Sequence, residues 1–201
     1  NIKYKNQNRM TAITINFNNI LKLTDEQFYQ LCQDNPDIKF ERNQWGKLII
    51  MPPTGGETGN RNSEMNAEFV IWNRQTKLGK VFDSSTCFKL PNNAERSPDI
   101  SWIKLERWNS LSEEQREKFP PIAPDFVLEL MSPSDRLKDT QEKMQEYVAA
   151  GVKLGWLFNR QARRVEIYRQ GQGVEVLDSP KSLSGEDVLP GFVLNLSIVW
   201  V

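Results

Sequence analysis

The side chains best suited to chemistry start with Glu129. It stands in the middle of Phe126-Val127-Leu128-Glu129-Leu130-Met131, an apolar run bounded by Pro124 and Pro133. A continuous apolar run of that length reads as a central strand buried on both faces. An ionised carboxylate there is tolerated only when it is paired, hydrogen-bonded or bound to a cation. An arginine or a backbone cap would satisfy it, and so would a metal ion. A second acid comes from Ser97-Pro98-Asp99-Ile100-Ser101-Trp102-Ile103, where Asp99, Ser101 and Ile103 alternate with Ile100 and Trp102 along a strand. Asp125 competes with Asp99, because Asp125 and Glu129 share a strand face. Those two are separated by roughly 13 Å at about 3.3 Å per residue, too far for one ion with ligand bonds of about 2.1 Å. A neighbouring strand can bring an acid to about 4.8 Å, which favours Asp99.

Two helices offer further groups. Lys143 lies on a helix expected from Arg136 to Ala150, on the flank of an apolar stripe made by Leu137, Met144, Tyr147 and Val148. A flank lysine either snorkels into solvent or, turned inward, carries its ammonium to the carboxylates. Glu64 lies on an expected helix from Asn62 to Lys77, with Glu68 as its competitor and a solvated helix acid as the plain reading of either.

Composition narrows the chemistry. The chain has no histidine, which excludes Ser-His-Asp and Cys-His catalysis and histidine metal sites. Its two cysteines, Cys32 and Cys87, form no CxxC pair, so neither a Cys₄ zinc site nor a disulfide framework is expected. Any metal must therefore sit among oxygens, as magnesium, manganese or calcium do. Lysine plus arginine equals aspartate plus glutamate at 26 each, so net charge gives no global argument for nucleic acid. No apolar run reaches eighteen residues, and Asn1 to Met10 lacks the apolar segment of a secretory signal. A cytoplasmic protein with no membrane span is the expectation.

The elements that must position these groups read as one α/β domain over 23–201, a mixed central β-sheet flanked by helices, preceded by an N-terminal arm over 1–22. Thr24 with Gln27 forms a capping-box pattern for a short helix through Cys32. Lys39 to Pro52 carries strand signals, and Thr54 to Gly59 is a glycine-rich loop before the Asn62 helix. Lys80 to Leu90, Asp99 to Ile103 and Phe126 to Met131 read as strands, with a polar insertion from Glu106 to Lys118 whose Ser112 and Gln115 suggest a short surface helix. Ser134 or Asp135 is the expected cap of the Lys143 helix and Gly151 its stop. Gly155 to Phe158, Arg164 to Tyr168 and Gly173 to Leu177 complete the sheet, the last two joined by a hairpin.

In combination, Met51-Pro52-Pro53-Thr54-Gly55-Gly56-Glu57, Ser97-Pro98-Asp99, Pro124-Asp125-Phe126-Val127-Leu128-Glu129-Leu130-Met131-Ser132-Pro133-Ser134, Lys143-Met144-Gln145-Glu146-Tyr147 and Gly151-Val152 resemble the Uma-type family. That is a family of proposed endonucleases within the PD-(D/E)xK, restriction-endonuclease-like superfamily, and the likeness runs from about Leu23 to the C-terminus. The resemblance implies a restriction-endonuclease-like fold and a DNA substrate. It implies Asp99 and Glu129 as the two motif acids and Glu64 as the acid of the first helix. The superfamily lysine belongs two residues after the glutamate, where this chain has Met131; the resemblance implies that Lys143 replaces it from the following helix. Two carboxylates about 4 Å apart repel by roughly 4 kcal/mol at an effective dielectric of about 20, so they call for a cation. Mg²⁺ or Mn²⁺ on Asp99, Glu129, Glu64 and the Leu130 carbonyl would serve phosphodiester hydrolysis, with Lys143 on the water or the phosphate. Arg61, Lys89, Arg96 and Arg136 are the candidate DNA contacts, and Gly55, Gly56 and Gly59 either bring backbone amides to a phosphate or merely turn the chain. A homodimer is compatible with cutting both strands. Two other readings stay open. One is a catalytically decayed DNA-binding or protein-interaction module of the same fold, and the other a sugar-active enzyme with paired carboxylates.

Overall fold

The computed structural model describes residues 11–16 and 21–200; residues 1–10 and 17–20 of the expected arm lie outside them. Within that arm, Ile13–Ile15 forms β1, which pairs antiparallel with β3 (Leu48–Met51). The main sheet has six strands in the order β11 (Glu175–Asp178), β10 (Arg164–Arg169), β9 (Leu154–Asn159), β8 (Phe126–Leu130), β7 (Ile100–Lys104) and β4 (Gly79–Asp83). All neighbours are antiparallel except β8 and β9. A parallel pair needs a crossover, and α5 (Leu137–Ala149) supplies it. The sheet is mixed, as the sequence predicts.

Because strand side chains alternate faces, the central strands sort cleanly. Ile100, Trp102, Phe126, Leu128, Leu130, Trp156 and Phe158 pack with Met65, Phe69 and Trp72 of α2 (Gly56–Thr76). Val127, Leu157, Ile103 and Tyr168 pack with Met144 and Tyr147 of α5. The two helices therefore cover opposite faces, and Glu129, in phase with Val127, projects towards α5. Gly155 allows the close approach on that side, since a Cβ there would stand 2.6 Å from the Met144 Cε.

A second sheet, ordered β1, β3, β2 (Lys39–Arg42), β6 (Glu95–Arg96) and β5 (Phe88–Lys89), packs against α1 (Asp25–Asp34) through Phe28, Phe40 and Leu48. The expected Lys80 to Leu90 strand is thus two short strands in different sheets. Asp83 makes the break: its Oδ1 accepts from the Ser85 amide at 3.0 Å and turns the chain.

Both capping boxes form, at Thr24 for α1 and at Ser112 for α4 (Glu113–Glu117), and the polar insertion also contains α3 (Leu105–Asn109). Two expectations need correction. Helix α2 begins at Gly56 rather than Asn62, because Thr58 is buried and Glu57 complements the helix N-terminus. The glycine-rich segment is therefore mostly first turns of a helix. Neither Ser134 nor Asp135 caps α5; the Asp135 carboxylate accepts instead from the Ser132 amide at 2.6 Å in the preceding turn. Gly151 does stop that helix, with φ 108°. The sequence reading missed β12 (Ser182–Ser184), β13 (Val193–Asn195) and α6 (Ser197–Trp200), whose surroundings add Leu183, Phe192 and Val199 to the α2-side core. Among the described residues no helix is long and apolar enough to cross a membrane.

Candidate active site

Strands β7 and β8 pair antiparallel with Trp102 opposite Phe126, Ser101 opposite Val127 and Ile100 opposite Leu128. One further step of that register sets Asp99 across from Glu129 on the same face, where Cβ atoms stand about 4.5–5.5 Å apart. The Asp99 Oδ2 accepts from the Leu130 amide at 2.8 Å, which fixes the side chain against β8 beyond the end of the ladder. The Glu129 Oε1 accepts from the Tyr147 hydroxyl at 3.0 Å and lies 2.8 Å from the Lys143 Nζ. Lys143 and Tyr147 meet the same acid because they are one helical turn apart on α5. The structure thus brings Asp99, Glu129 and Lys143 together.

Glu41 was not foreseen. Its Oε1 accepts from the Lys143 Nζ at 2.9 Å and from the Ser97 amide at 3.1 Å, and its Oε2 from the Arg96 guanidinium at 3.0 Å. Arg96 in turn donates to Glu146 at 2.5 Å, and the other Glu146 oxygen accepts from the Gln44 amide at 2.8 Å. Glu41, Arg96 and Glu146 are all buried. A buried ionic chain thus ties β2 and β6 to α5 through the candidate site. The available signal was the alternation of β2: Phe40 faces the α1 core, so Lys39 and Glu41 had to share the other face.

The site's charges are unequal. Burial drives the Glu129 carboxyl up to about 7, with Asp99 and Glu41 adding to the rise and Lys143 opposing it. Burial likewise raises Asp99, against the Leu130 amide and Lys143. Burial would raise Glu41 too, but Lys143 and Arg96 pull it down to about 2. The burial of Lys143 works against its charge, yet Glu129 and Glu41 hold the ammonium more firmly protonated than an ordinary lysine. The Tyr147 hydroxyl is raised by burial and by Glu129, so it is a donor.

These residues fit a divalent cation in charge and in donor type. Among the described residues Glu41, Asp99, Glu129 and Glu146 face Lys143 and Arg96 as buried partners, with the half-buried Lys39 acting on Glu41 and Asp99, which still leaves more acids than bases. The Asp99 Oδ1 and Glu129 Oε2 accept no hydrogen bond from the described residues. No ready-made group of three acidic or thiol ligands exists among the described residues. A cation would therefore be held by two carboxylates, a backbone carbonyl and water, as Mg²⁺ is when it keeps several waters.

The remaining expected residues separate. Glu64 needs correction: it is exposed on α2, which covers the opposite face of the sheet from Asp99 and Glu129, and it makes no bond to either. The Leu130 side chain packs in the α2-side core, and its amide engages Asp99. Asp125 is buried and structural, held by the Lys104 amide, Arg107 and Lys153, each at 2.9 Å, at the far end of β8. Arg96 is withdrawn from any DNA surface by its two buried acids. Lys89 pairs with Asp25, and Arg61 with Glu57 at 3.4 Å. Arg136 is exposed at the N-terminus of α5.

The family model described as Uma2, putative restriction endonuclease, matches residues 25–197. A crystal structure of a putative nuclease belonging to DUF820 from Anabaena variabilis ATCC 29413 superposes with a TM-score of 0.69 at 22% identity, covering 80% of this chain and 89% of that one. The shared fold is the restriction-endonuclease-like one. No curated protein matches the chain.

Proposed function

The chain belongs to the Uma2 family of putative restriction endonucleases, and on that footing we propose that it is a metal-dependent endonuclease that hydrolyses DNA phosphodiester bonds. The observation that carries this reading is the meeting of Asp99, Glu129 and Lys143, with the lysine 2.8 Å from Glu129 and the acids adjacent across two strands. Asp99, Glu129 and the Leu130 carbonyl would hold Mg²⁺ or Mn²⁺. When bound, the ion supplies a polarised phosphate and a more acidic water.

The chain's own residues do the rest. An ammonium has three protons to donate. Glu41 and Glu129 take two, so one Lys143 N–H is available to a phosphate oxygen or to the attacking water. The Tyr147 hydroxyl holds the Glu129 side chain in one orientation. Arg136 and the α2 N-terminus at Gly55 and Gly56 are the groups suited to the DNA backbone. Cutting both strands in one event would need a second copy.

The runner-up is a non-catalytic DNA-binding or protein-interaction module of this fold, for which Met131 in the motif-lysine position is the argument. Lys143 answers it, because the ammonium lies beside the motif glutamate despite its origin on α5. The deciding experiment is plasmid nicking with and without Mg²⁺. Wild type should nick only with metal, and D99A, E129A and K143M should not. Equal nicking by D99A, E129A and wild type would remove the proposal, as would wild-type activity that survives EDTA.

A further inference from the structure

We propose that Glu41 is the positioning residue that holds the Lys143 ammonium in the site, leaving Glu129 free to serve a cation. This rests on the endonuclease reading of the site and adds a division of labour between its acids. Lys143 faces two carboxylates at nearly equal distance, 2.9 Å to Glu41 and 2.8 Å to Glu129. They are otherwise unlike.

Both oxygens of Glu41 are engaged, by Lys143 and the Ser97 amide on one and by Arg96 on the other. Arg96 is itself pinned by Glu146, which the Gln44 amide holds in place. Glu41 is 1% exposed and has no freedom to turn elsewhere. Glu129 accepts from Lys143 and Tyr147 on one oxygen only, and its other oxygen has no donor among the described residues. It is the acid with capacity to spare.

Were Glu129 the sole anchor of Lys143, a divalent cation on that carboxylate would repel the ammonium and compete with it for the same acid. A separate, permanently engaged counter-charge removes the conflict. It also accounts for the position of the lysine. Two residues after Glu129 the chain has Met131, and a lysine there would have Glu129 as its near acid. A lysine on α5 meets the second sheet, which brings Glu41 to it.

The test is the side-chain ammonium signal of Lys143 in the full-length chain labelled with ¹⁵N-lysine, assigned by its loss in K143M. A held, buried ammonium exchanges its protons slowly with water. The signal should persist in E129Q. In E41Q it should broaden away, with exchange faster by roughly tenfold or more, and E41D should recover part of it. Should E41Q fail to fold, E129Q alone decides: retention supports Glu41 as the anchor, and loss overturns it. Absence of a protected signal in the wild type overturns it as well. None of these outcomes needs metal. Failure of the endonuclease reading would show separately, as no perturbation of Asp99 or Glu129 carboxyl resonances on adding millimolar Mg²⁺ alone.

Discussion

Replacing Lys143 by methionine removes a cation from between Glu41 and Glu129 and keeps most of the side chain's length. The lysine side chain is 11% exposed and lies 2.9 Å and 2.8 Å from the two acids. Removing one partner of a buried ion pair costs about 3–5 kcal/mol, because the other is left uncompensated. The loss should depend on pH, with a sign fixed by Glu129. Burial already holds that carboxyl up at about 7, and Lys143 is the main influence lowering it; without the lysine it rises further. A group whose folded pKa exceeds its unfolded value contributes stability below the unfolded value, near 4.5 for glutamate. That contribution disappears as pH climbs through the folded pKa. K143M should therefore lose more stability at pH 8.5, most of about 3–5 kcal/mol, than at pH 5.5, where only the loss of the pairing with the still-ionised Glu41 remains. Urea unfolding followed by tryptophan fluorescence at the two pH values measures the difference. Equal losses at both, or a loss below about 1 kcal/mol at pH 8.5, would refute the view that this ammonium neutralises buried charge. Millimolar Mg²⁺ should restore part of the loss at pH 8.5, since a cation bound to the folded state stabilises it.

Other expectations follow from the same geometry. Glu41 is held down to about 2, the opposite sign: its contribution is present above about 4.5 and lost as pH falls towards 2. E41Q should therefore flatten that part of the acid-unfolding curve, and a curve of unchanged steepness would contradict it. D125N should lower stability by about 1–2 kcal/mol through the loss of charge opposite the partly exposed Arg107 and Lys153, while calorimetry shows Mg²⁺ affinity unchanged; weakened metal binding would bring Asp125 back into the site. E64Q should leave Mg²⁺ binding and nicking as in the wild type, because Glu64 is exposed on the far-side helix. A tenfold loss of nicking would show that α2 reaches round the sheet.

How much was readable in advance depended on whether the cause was local. The apolar run around Glu129 and the alternation around Asp99 each identified a strand carrying an acid, and spacing favoured Asp99 over Asp125 as the partner. Both capping boxes are local hydrogen bonds between residues three apart, and both formed. Glu41 is different. Its importance comes from Arg96 and Lys143, which are distant in sequence and meet it only because the second sheet folds against α5. Nothing within Lys39-Phe40-Glu41-Arg42 announces that meeting beyond two charges on one strand face. Glu64 failed for a related reason. Helix periodicity shows which residues share a side, but not which face of the sheet the helix covers, and that choice was made by Met65, Phe69 and Trp72 packing on Ile100, Leu128 and Trp156. The break at Asp83 was missed because apolar residues continue on either side of the turn.

Anomalous scattering from crystals of the wild-type protein grown with Mn²⁺ would locate the ion outright. One strong peak is expected in contact with the free oxygens of Asp99 and Glu129, with Lys143 still on Glu41, and none there in D99N crystals. A peak elsewhere, or none at millimolar Mn²⁺ with both carboxylates ordered, would rule out the metal site.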